Sequence, residues 1–195
     1  NGKSTVTTLV YEMAKAAVLK VGMGGNIGIP ALSLLNDDCE LYVLELSSFQ
    51  LETTYSLKAA AATVLNVTED HMDRYVDLED YRQAKLRIYH NAEVGVLNNE
   101  DKLTFGEGEN QAKQTVSFAE NTADYWIKTE NGKQYLMAKD EVILPCEEAI
   151  LVGRHNYMNI LAATALAQSV GINLDSIRTA LRHFKGLEHR FQLAH

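Results

Sequence analysis

Asn1-Gly2-Lys3-Ser4-Thr5 opens the chain, and a stretch with the apolar spacing of a helix follows at once. A Gly-Lys-Ser triplet at a helix start is typical of the end of a phosphate-binding loop. Backbone N–H groups hold phosphate oxygens there, the lysine neutralises the outer phosphates, and the serine hydroxyl binds Mg²⁺. The competing interpretation is an N-cap serine beside a solvated lysine. The strand and first glycine that should precede the loop are missing from this sequence, so we expect a piece of a longer nucleotide-using protein.

The composition is that of one globular domain of ordinary size. The chain has 195 residues, 46% of them hydrophobic, and a formal net charge of −8 without a Lys/Arg run. This charge argues against nucleic-acid and membrane partners, although an acidic protein can still hold phosphates in a local basic pocket. Cys39 and Cys146 lack metal-ligand spacing and favour a reduced, cytoplasmic setting. No apolar run in the sequence is long enough to span a bilayer.

Helical and strand-like segments alternate over the first hundred residues. We predict helices over residues 4–15, 30–36 and 78–92. We predict strands over residues 18–21, 41–46, 60–67 and 94–98, with a glycine-rich turn at 22–28. The strand over 41–46 is continuously apolar, and we expect it to be buried on both faces. This alternation predicts an α/β fold, a doubly wound and mostly parallel sheet with helices on both faces.

The pattern changes between about residues 104 and 148. Shorter segments alternate apolar and polar residues there, and Asn131-Gly132 is a strong hairpin signal because both central residues of such a turn need positive φ. We predict a small antiparallel subsheet attached to the main one, built from residues 115–118, 125–128, 134–137 and 141–144. Two helices follow, over about 156–170 and 174–184, with Gly171 ending the first and Asn173 or Asp175 starting the second. Residues 186–195 look like a linker.

Polar residues follow several of the predicted strands, where ligands bind in open parallel sheets. Glu45 is the informative one, because it ends an otherwise apolar strand. A buried carboxylate needs a cation or hydrogen-bond donors, and Mg²⁺ shared with nucleotide phosphates would satisfy it. The other interpretation is that Glu45 marks a strand end in water. We prefer the metal role.

Three further positions stay open on the residues alone. His71 lies in an acidic loop and either binds a metal or an anion, or is simply solvated. Lys85 reads as a surface lysine on a helix. Asn156 and Asn159 could meet a purine, but the sequence favours ordinary helix capping for them.

Taken in order, these motifs resemble those of the Mur ligases. The stretches that carry the resemblance, from Asn1 to about Phe191, are Asn1-Gly-Lys-Ser-Thr5, Gly24-Gly-Asn-Ile-Gly28, Glu45-Leu-Ser-Ser-Phe-Gln-Leu-Glu52, Asn66-Val-Thr-Glu-Asp-His-Met-Asp-Arg74, Tyr81-Arg-Gln-Ala-Lys85, His155-Asn-Tyr-Met-Asn159 and Gly186-Leu-Glu-His-Arg190. The stretch ending at Glu52 is most similar to members that add D-glutamate. The resemblance implies three domains, of which residues 1–185 are the central ATP-binding one and 186–195 begin the linker to the next.

The family chemistry implied by this resemblance is amide formation with D-glutamate. ATP would phosphorylate the carboxylate of UDP-N-acetylmuramoyl-L-alanine, and the amine of D-glutamate would displace phosphate from the acyl phosphate. The resemblance also implies a monomeric, cytoplasmic enzyme of peptidoglycan synthesis that uses two Mg²⁺ ions.

The resemblance assigns a role to each motif position. Lys3 would hold the outer phosphates within the nucleotide-binding loop, together with Asn1, Gly2 and Thr5. Ser4 and Glu45 would ligate the first Mg²⁺. Asn26, Ser47 and His71 would contact the substrate. His71 and a CO₂-carbamylated Lys85 would form a second metal site. Adenine would be contacted by Asn156 and Asn159, and the phosphates by Arg190. Lys3, His71 and Lys85 would be the catalytic residues.

Two alternatives remain at this point. Another Mur or folylpolyglutamate-type ligase would share Lys3, Ser4 and Glu45 but differ over residues 47–52. A P-loop ATPase switch would hydrolyse nucleotide without joining two substrates and would need no carbamylated lysine. As a fragment, residues 1–195 alone are not expected to ligate.

Overall fold

Five helices and eight strands make up the computed structural model, which describes residues 2–36 and 38–187. The helices are α1 (Lys3–Ala16), α2 (Ser48–Glu52), α3 (Leu78–Leu86), α4 (Arg154–Ser169) and α5 (Leu174–His183). The strands are β1 (Val21–Gly25), β2 (Leu41–Glu45), β3 (Ala61–Thr63), β4 (Val94–Asn98), β5 (Gln114–Phe118), β6 (Tyr125–Glu130), β7 (Lys133–Ala138) and β8 (Glu141–Pro145). No helix within the described residues is both long and apolar enough to cross a membrane.

The strands form two sheets. β1 and β2 pair in parallel, while β3 to β8 form a six-stranded sheet in sequence order. β3, β4 and β5 are parallel, β5 meets β6 in parallel through one residue pair, and β6, β7 and β8 are antiparallel. The predicted α/β architecture with a mostly parallel sheet and an antiparallel extension is confirmed.

Helices cover both faces of the six-stranded sheet. Val96 of β4 belongs to the larger core cluster, which also contains buried side chains of α1, α4 and α5. The next residue, Leu97, packs against a second cluster that contains buried residues of β3 and α3. Because successive strand residues point to opposite faces, the two clusters lie on opposite sides of the sheet.

The glycine-rich stretch after α1 is a strand, so the predictions of a strand over 18–21 and of a turn over 22–28 were wrong. Glycine is needed here because of close backbone approach. A Cβ on Gly24 would lie 2.0 Å from the Ile29 carbonyl oxygen, and one on Gly25 would lie 2.3 Å from that of Glu45. Periodicity cannot reveal such a strand, since three of its five residues are glycines and carry no apolar side chain.

Four other boundaries differ from the predictions. Residues 114–118 pair in parallel with β4 and so belong to the main sheet, not to the antiparallel subsheet. Only Ala61–Thr63 of the predicted strand over 60–67 is paired. The helix predicted over 78–92 ends at Leu86 and continues as a 3-10 turn, Arg87–Tyr89. The predicted short helix after Pro30 is a 3-10 turn, Ala31–Leu34.

The antiparallel region follows its sequence signals closely. Asn131 and Gly132 have φ values of 52° and 75° and join β6 to β7, with Glu130 paired to Lys133. Gly171 has a φ of 88° just beyond α4, and the Asn173 side chain accepts a hydrogen bond from the Ser176 N–H at the start of α5. The hairpin, the end of the first helix before Gly171 and the start of the second after Asn173 are therefore confirmed.

Candidate functional site

The start of α1 lies against the end of β2. Gly2, with a φ of 88°, is the N-cap of α1, and Lys3 is its first residue. The Ser4 hydroxyl donates a 2.9 Å hydrogen bond to a carboxylate oxygen of Glu45. Ser4 is thus not the N-cap, and the interpretation of this motif as a capping serine is wrong. The structure brings together the two side chains predicted to share Mg²⁺.

Glu45 is the one buried position of its strand. Only 6% of the residue is exposed, whereas the four preceding residues of β2 are half-buried. The prediction that this apolar strand is buried on both faces is therefore wrong, because its first four residues are half-buried and its most buried residue is the charged one. Burial of a carboxylate is costly unless donors or cations surround it, and Ser4 supplies one donor.

The loop after β1 is joined to the same strand end. The Asn26 N–H donates to the Glu45 carbonyl oxygen at 2.7 Å, and Gly25 N–H donates to that of Ile29 at 2.8 Å. These bonds fix the backbone of Asn26 beside Glu45 and leave the residue exposed. Asn26, predicted to touch substrate, is therefore an exposed residue beside Glu45.

Ser47 is the N-cap of α2. Its hydroxyl accepts a 3.2 Å bond from the Gln50 N–H, and its own N–H donates 2.8 Å to the Gln50 side chain, which makes a capping box. A serine hydroxyl has one donor besides its acceptor lone pairs. Capping therefore leaves the hydroxyl proton of Ser47 available for a substrate.

Lys85 is not the surface lysine that periodicity indicates. Its ammonium group donates a 2.9 Å bond to the Asn66 carbonyl oxygen and lies 5.2 Å from the centre of the Tyr81 ring. A cavity of about 30 Å³ is lined by both Lys85 and Lys3, together with residues after β2 and β3. Burial, and then the nearby charge of Lys3, lower the pKa of Lys85 to about 8.

His71 lies at the tip of an exposed loop between β3 and α3. Its backbone is left-handed, with a φ of 54°. Its ring meets that of Phe49 edge-on at 4.9 Å and that of Tyr81 at 6.5 Å, and its Nε2 atom lies 3.5 Å from the Asp70 carboxylate. Tyr81 thus contacts both His71 and Lys85.

The beginning of α4 approaches the phosphate loop. The helix starts at Arg154 after Gly153, so the prediction that Asn156 and Asn159 cap it is wrong. The Asn156 amide donates to the Val152 carbonyl oxygen at 2.8 Å. Asn159 packs so closely on Gly2 that a Cβ there would lie 2.5 Å from its side-chain oxygen. The positive φ of Gly2 therefore favours glycine, and a Cβ there would also displace the Asn159 amide.

Of the remaining predicted site residues, two lie in the described part of the chain and two lie outside it. Gly2 and Thr5 lie in the motif at the start of α1, where the Val6 N–H donates to the Gly2 carbonyl oxygen at 2.9 Å. Asn1 and Arg190 lie outside the described residues, as does most of the proposed linker. Over 2–36 and 38–187, no three His, Cys, Asp or Glu side chains group as a metal site. A metal here would need the Ser4 hydroxyl and ligand oxygens besides Glu45.

Sequence reasoning missed the side chains that hold the His71 loop. The loop is connected to α2 by contacts of Phe49 and Glu52, in the helix, with Arg74 and Tyr75, in the loop. These partners are more than twenty positions apart in sequence. Periodicity gives no signal for such pairs. Phe49, Glu52 and Arg74 lie within the stretches that resemble the Mur ligases, but the sequence assigned no role to them.

Comparison with known proteins agrees with this geometry. The Mur ligase middle domain family model matches residues 1–167. A UDP-N-acetylmuramoylalanine–D-glutamate ligase of Haemophilus influenzae is 94% identical over all of this chain, and one of Escherichia coli is 58% identical over 99% of it. The chain covers 45% and 44% of these two relatives, so it spans less than half of their length.

A solved structure shares the fold. MurF from Acinetobacter baumannii aligns with a TM-score of 0.74 and 21% identity, over 97% of this chain and 45% of that one. At this level of identity the likeness concerns the fold alone. The family model, in contrast, matches residues 1–167, which is most of the sequence. The chain therefore belongs to the Mur ligase family and carries its middle domain.

Proposed function

We propose that this chain is the ATP-binding part of a ligase that joins D-glutamate to UDP-N-acetylmuramoyl-L-alanine. The observation that carries the proposal is the hydrogen bond from Ser4 to the buried Glu45, directly after Lys3 at a helix start. The names of the relatives that are 94% and 58% identical support the choice of substrates. Residues 1–185 would form the central domain and 186–195 the start of a linker, in a monomeric cytoplasmic enzyme.

The residues present fit a magnesium nucleotide. Glu45 is buried with one donor on its carboxylate, and Mg²⁺ typically takes one or two protein carboxylates together with phosphate oxygens. Ser4 and Glu45 would hold the first ion, and Gly2, Lys3 and Thr5, with Asn1, would surround the phosphates. Bound Mg²⁺ would supply a Lewis acid that stabilises charge on the transferred phosphoryl group.

The proposed reaction has two steps. A carboxylate oxygen of the nucleotide-sugar substrate attacks the γ-phosphorus of ATP, the bond to ADP breaks, and an acyl phosphate forms. The amine of D-glutamate attacks the acyl carbon and loses a proton, and inorganic phosphate leaves. Lys3 contributes a positive charge where two anions must meet, which lowers the barrier through electrostatic stabilisation and positioning.

Lys85 fits the proposed carbamylation. The neutral amine attacks CO₂, a nitrogen–carbon bond forms, one proton is lost, and the product carries a negative charge. The lowered pKa of Lys85, about 8, raises the fraction of neutral amine available for this step. The carbamate would then support a second Mg²⁺ with His71.

The other site residues divide between substrate and nucleotide. Asn26, whose N–H binds the Glu45 carbonyl oxygen, and Ser47, which follows Glu45 closely in sequence, would contact the muramoyl-alanine end together with His71. Asn159, packed on Gly2, and Asn156, one turn earlier, would meet adenine. Arg190 would reach the nucleotide phosphates.

Phosphate release by the full-length protein tests the proposal. The assay contains Mg²⁺-ATP and UDP-N-acetylmuramoyl-L-alanine with D-glutamate, L-lysine or no amine. Release that requires both the nucleotide sugar and D-glutamate is expected. Release with ATP alone would favour an ATPase switch, and release that requires a different amine would move the chain to another branch of the family.

A further inference from the structure

The His71 loop is held in place from one side by α2. Within the loop, the Arg74 and Tyr75 N–H groups donate to the His71 carbonyl oxygen at 2.9 and 3.3 Å, and the His71 N–H donates to Asp70 at 2.9 Å. This turn leaves His71 in a left-handed conformation, which a non-glycine residue adopts at some cost. Contacts from outside the loop are therefore expected to stabilise it.

Glu52 supplies the polar part of these contacts. One of its carboxylate oxygens accepts a 2.8 Å bond from the Arg74 guanidinium, and the other accepts a 2.6 Å bond from the Tyr75 hydroxyl. Both hydrogen bonds lower the pKa of Glu52, and the bond from Tyr75 has the larger effect. Two consecutive residues of the loop, Arg74 and Tyr75, are thus bound to one carboxylate of α2.

Phe49 supplies the apolar part. Its ring stacks on that of Tyr75 at 6.0 Å with an angle of 2° between the planes, and the Arg74 guanidinium lies 4.5 Å from its centre. The edge-on contact with His71 at 4.9 Å completes the arrangement. One aromatic ring therefore touches the loop at three side chains.

The far end of α2 is itself anchored. Arg87, just beyond α3, donates to the carbonyl oxygens of Leu51 and Thr54 at 2.8 and 3.1 Å. At the other end Ser47 caps the helix. The short helix is therefore fixed at both ends and can serve as a rigid support for the loop that it contacts.

We propose that Phe49 and Glu52 are positioning residues that hold the imidazole of His71 in its place at the site. The inference rests on the proposed function, in which His71 contacts substrate. Neither side chain needs to touch a reacting group. Their effect is to keep His71 in one rotamer and its loop in one conformation, so that catalysis depends on two residues of the helix that also presents Ser47.

A spectroscopic measurement tests the contact without reference to activity. In full-length protein with isotope-labelled histidine, the imidazole proton signals of His71, assigned by their loss in His71→Gln, are expected to carry a ring-current shift from Phe49. Phe49→Leu should abolish this shift and Glu52→Gln should reduce it. Asp73→Asn, which removes one charge from an exposed residue of the same loop, should leave it unchanged. An unchanged shift in Phe49→Leu would overturn the inference.

Steady-state kinetics tests the consequence. Glu52→Gln and Phe49→Leu should lower kcat by about ten- to a hundredfold, because small displacements of a site residue have effects of this size. The KM for ATP and the melting temperature should stay near those of Asp73→Asn, whereas a merely structural role would lower the melting temperature and leave kcat per folded molecule intact.

Failure of this inference differs from failure of the proposed function. A lost ring-current shift with unchanged kcat would overturn the positioning role while the ligase assignment stands. A wild-type protein that releases no phosphate with the proposed substrates would overturn the function instead. Glu52→Asp, which keeps the charge on a shorter side chain, should recover part of the kcat lost in Glu52→Gln.

Discussion

The two halves of the sheet region differ in how their residues are used. In the antiparallel part, β6 and β7 pair along their whole length, and Leu136, Ile143 and Leu144 are at most 1% exposed. In the parallel part, β3 has three residues and β2 places its only fully buried side chain, Glu45, at its end. Both regions contribute buried apolar side chains, but only the second also brings charged groups together.

This difference separates stability from chemistry. Apolar burial is the main favourable contribution to folding, while a buried carboxylate and a desolvated lysine reduce it. We therefore expect substitutions around Lys3 and Lys85 to change activity more than stability. Substitutions in β6 to β8 should change stability more than activity. The predictions below test this division, beginning with the largest expected effect.

Lys3→Ala should have the largest effect. Removing the positive charge at the start of α1 should lower kcat of the full-length enzyme by about a thousandfold, or about 4 kcal/mol of transition-state stabilisation. Phosphate release measures it. Lys15→Ala, in the last turn of the same helix, is the matched control and should be nearly neutral. Retention of most activity in Lys3→Ala would remove the phosphate-loop assignment.

Leu136→Ala should lower stability and leave kcat per folded molecule nearly unchanged, the reverse of what is expected for Lys3→Ala. Leu136 is fully buried in β7, and truncation there should lower the free energy of unfolding by about 3 kcal/mol through lost burial and an unfilled cavity. Urea denaturation measures this, with Val142→Ala at an exposed position of β8 as the control. If kcat per folded molecule fell as strongly as stability, the two regions would not be separable.

Lys85→Ala should lower kcat by about a hundredfold, because the proposed carbamate and its metal support are lost. Short carboxylic acids should restore part of the activity by supplying a carboxylate in the vacated space. Lys58→Ala, an exposed lysine, is the control. Full activity of Lys85→Ala without added acid would mean that Lys85 has no catalytic role.

The pH dependence of the same lysine follows from its pKa. Burial lowers it from 10.5 to about 8, so the neutral amine, which is the form that reacts with CO₂, becomes abundant near pH 8 instead of above pH 10. With dissolved ¹³CO₂ held constant, the carbamate signal in ¹³C NMR should rise from pH 7 to pH 8. A signal of equal strength in Lys85→Ala would assign the carbamate to another amine.

Gly132→Ala should have the smallest effect. A φ of 75° is costly for a residue with a Cβ, by about 1 kcal/mol, so the hairpin should lose about that much stability. Thermal denaturation measures it, and Lys133→Ala in the same turn is the control. No change in melting temperature would mean that the turn relaxes to another conformation.

The sequence predicted elements whose signals are local. The helix from residue 4, the strand Val94–Asn98 and the Asn131-Gly132 hairpin follow from periodicity and turn chemistry, and the structure agrees with them within a residue or two. Lys3 and Ser4 were recognisable from the Gly-Lys-Ser motif at a helix start, and Glu45 because it interrupts an apolar strand. Lys85 was not, since its burial depends on the Asn66 carbonyl oxygen and on Lys3, both distant in sequence.

What sequence reasoning missed depends on contacts between distant segments. β1 was misplaced because its glycines allow close backbone approach to Ile29 and to the distant Glu45, and periodicity along the chain shows neither contact. Residues 114–118 were assigned to the antiparallel part because alternation does not reveal the direction of the neighbouring strand. Phe49 and Glu52 were overlooked for the same reason, since their partners lie in the loop around His71.

Calorimetric titration of ATP into the full-length protein, with Mg²⁺ and with EDTA, tests the central claim most directly. The claim is that the Ser4–Glu45 pair holds a magnesium nucleotide. Wild-type protein should bind ATP more tightly with Mg²⁺ than without it. Glu45→Gln, which keeps size and the hydrogen bond from Ser4, should lose most of this gain while binding in EDTA stays similar. An equal gain from Mg²⁺ in Glu45→Gln and wild type would contradict the account.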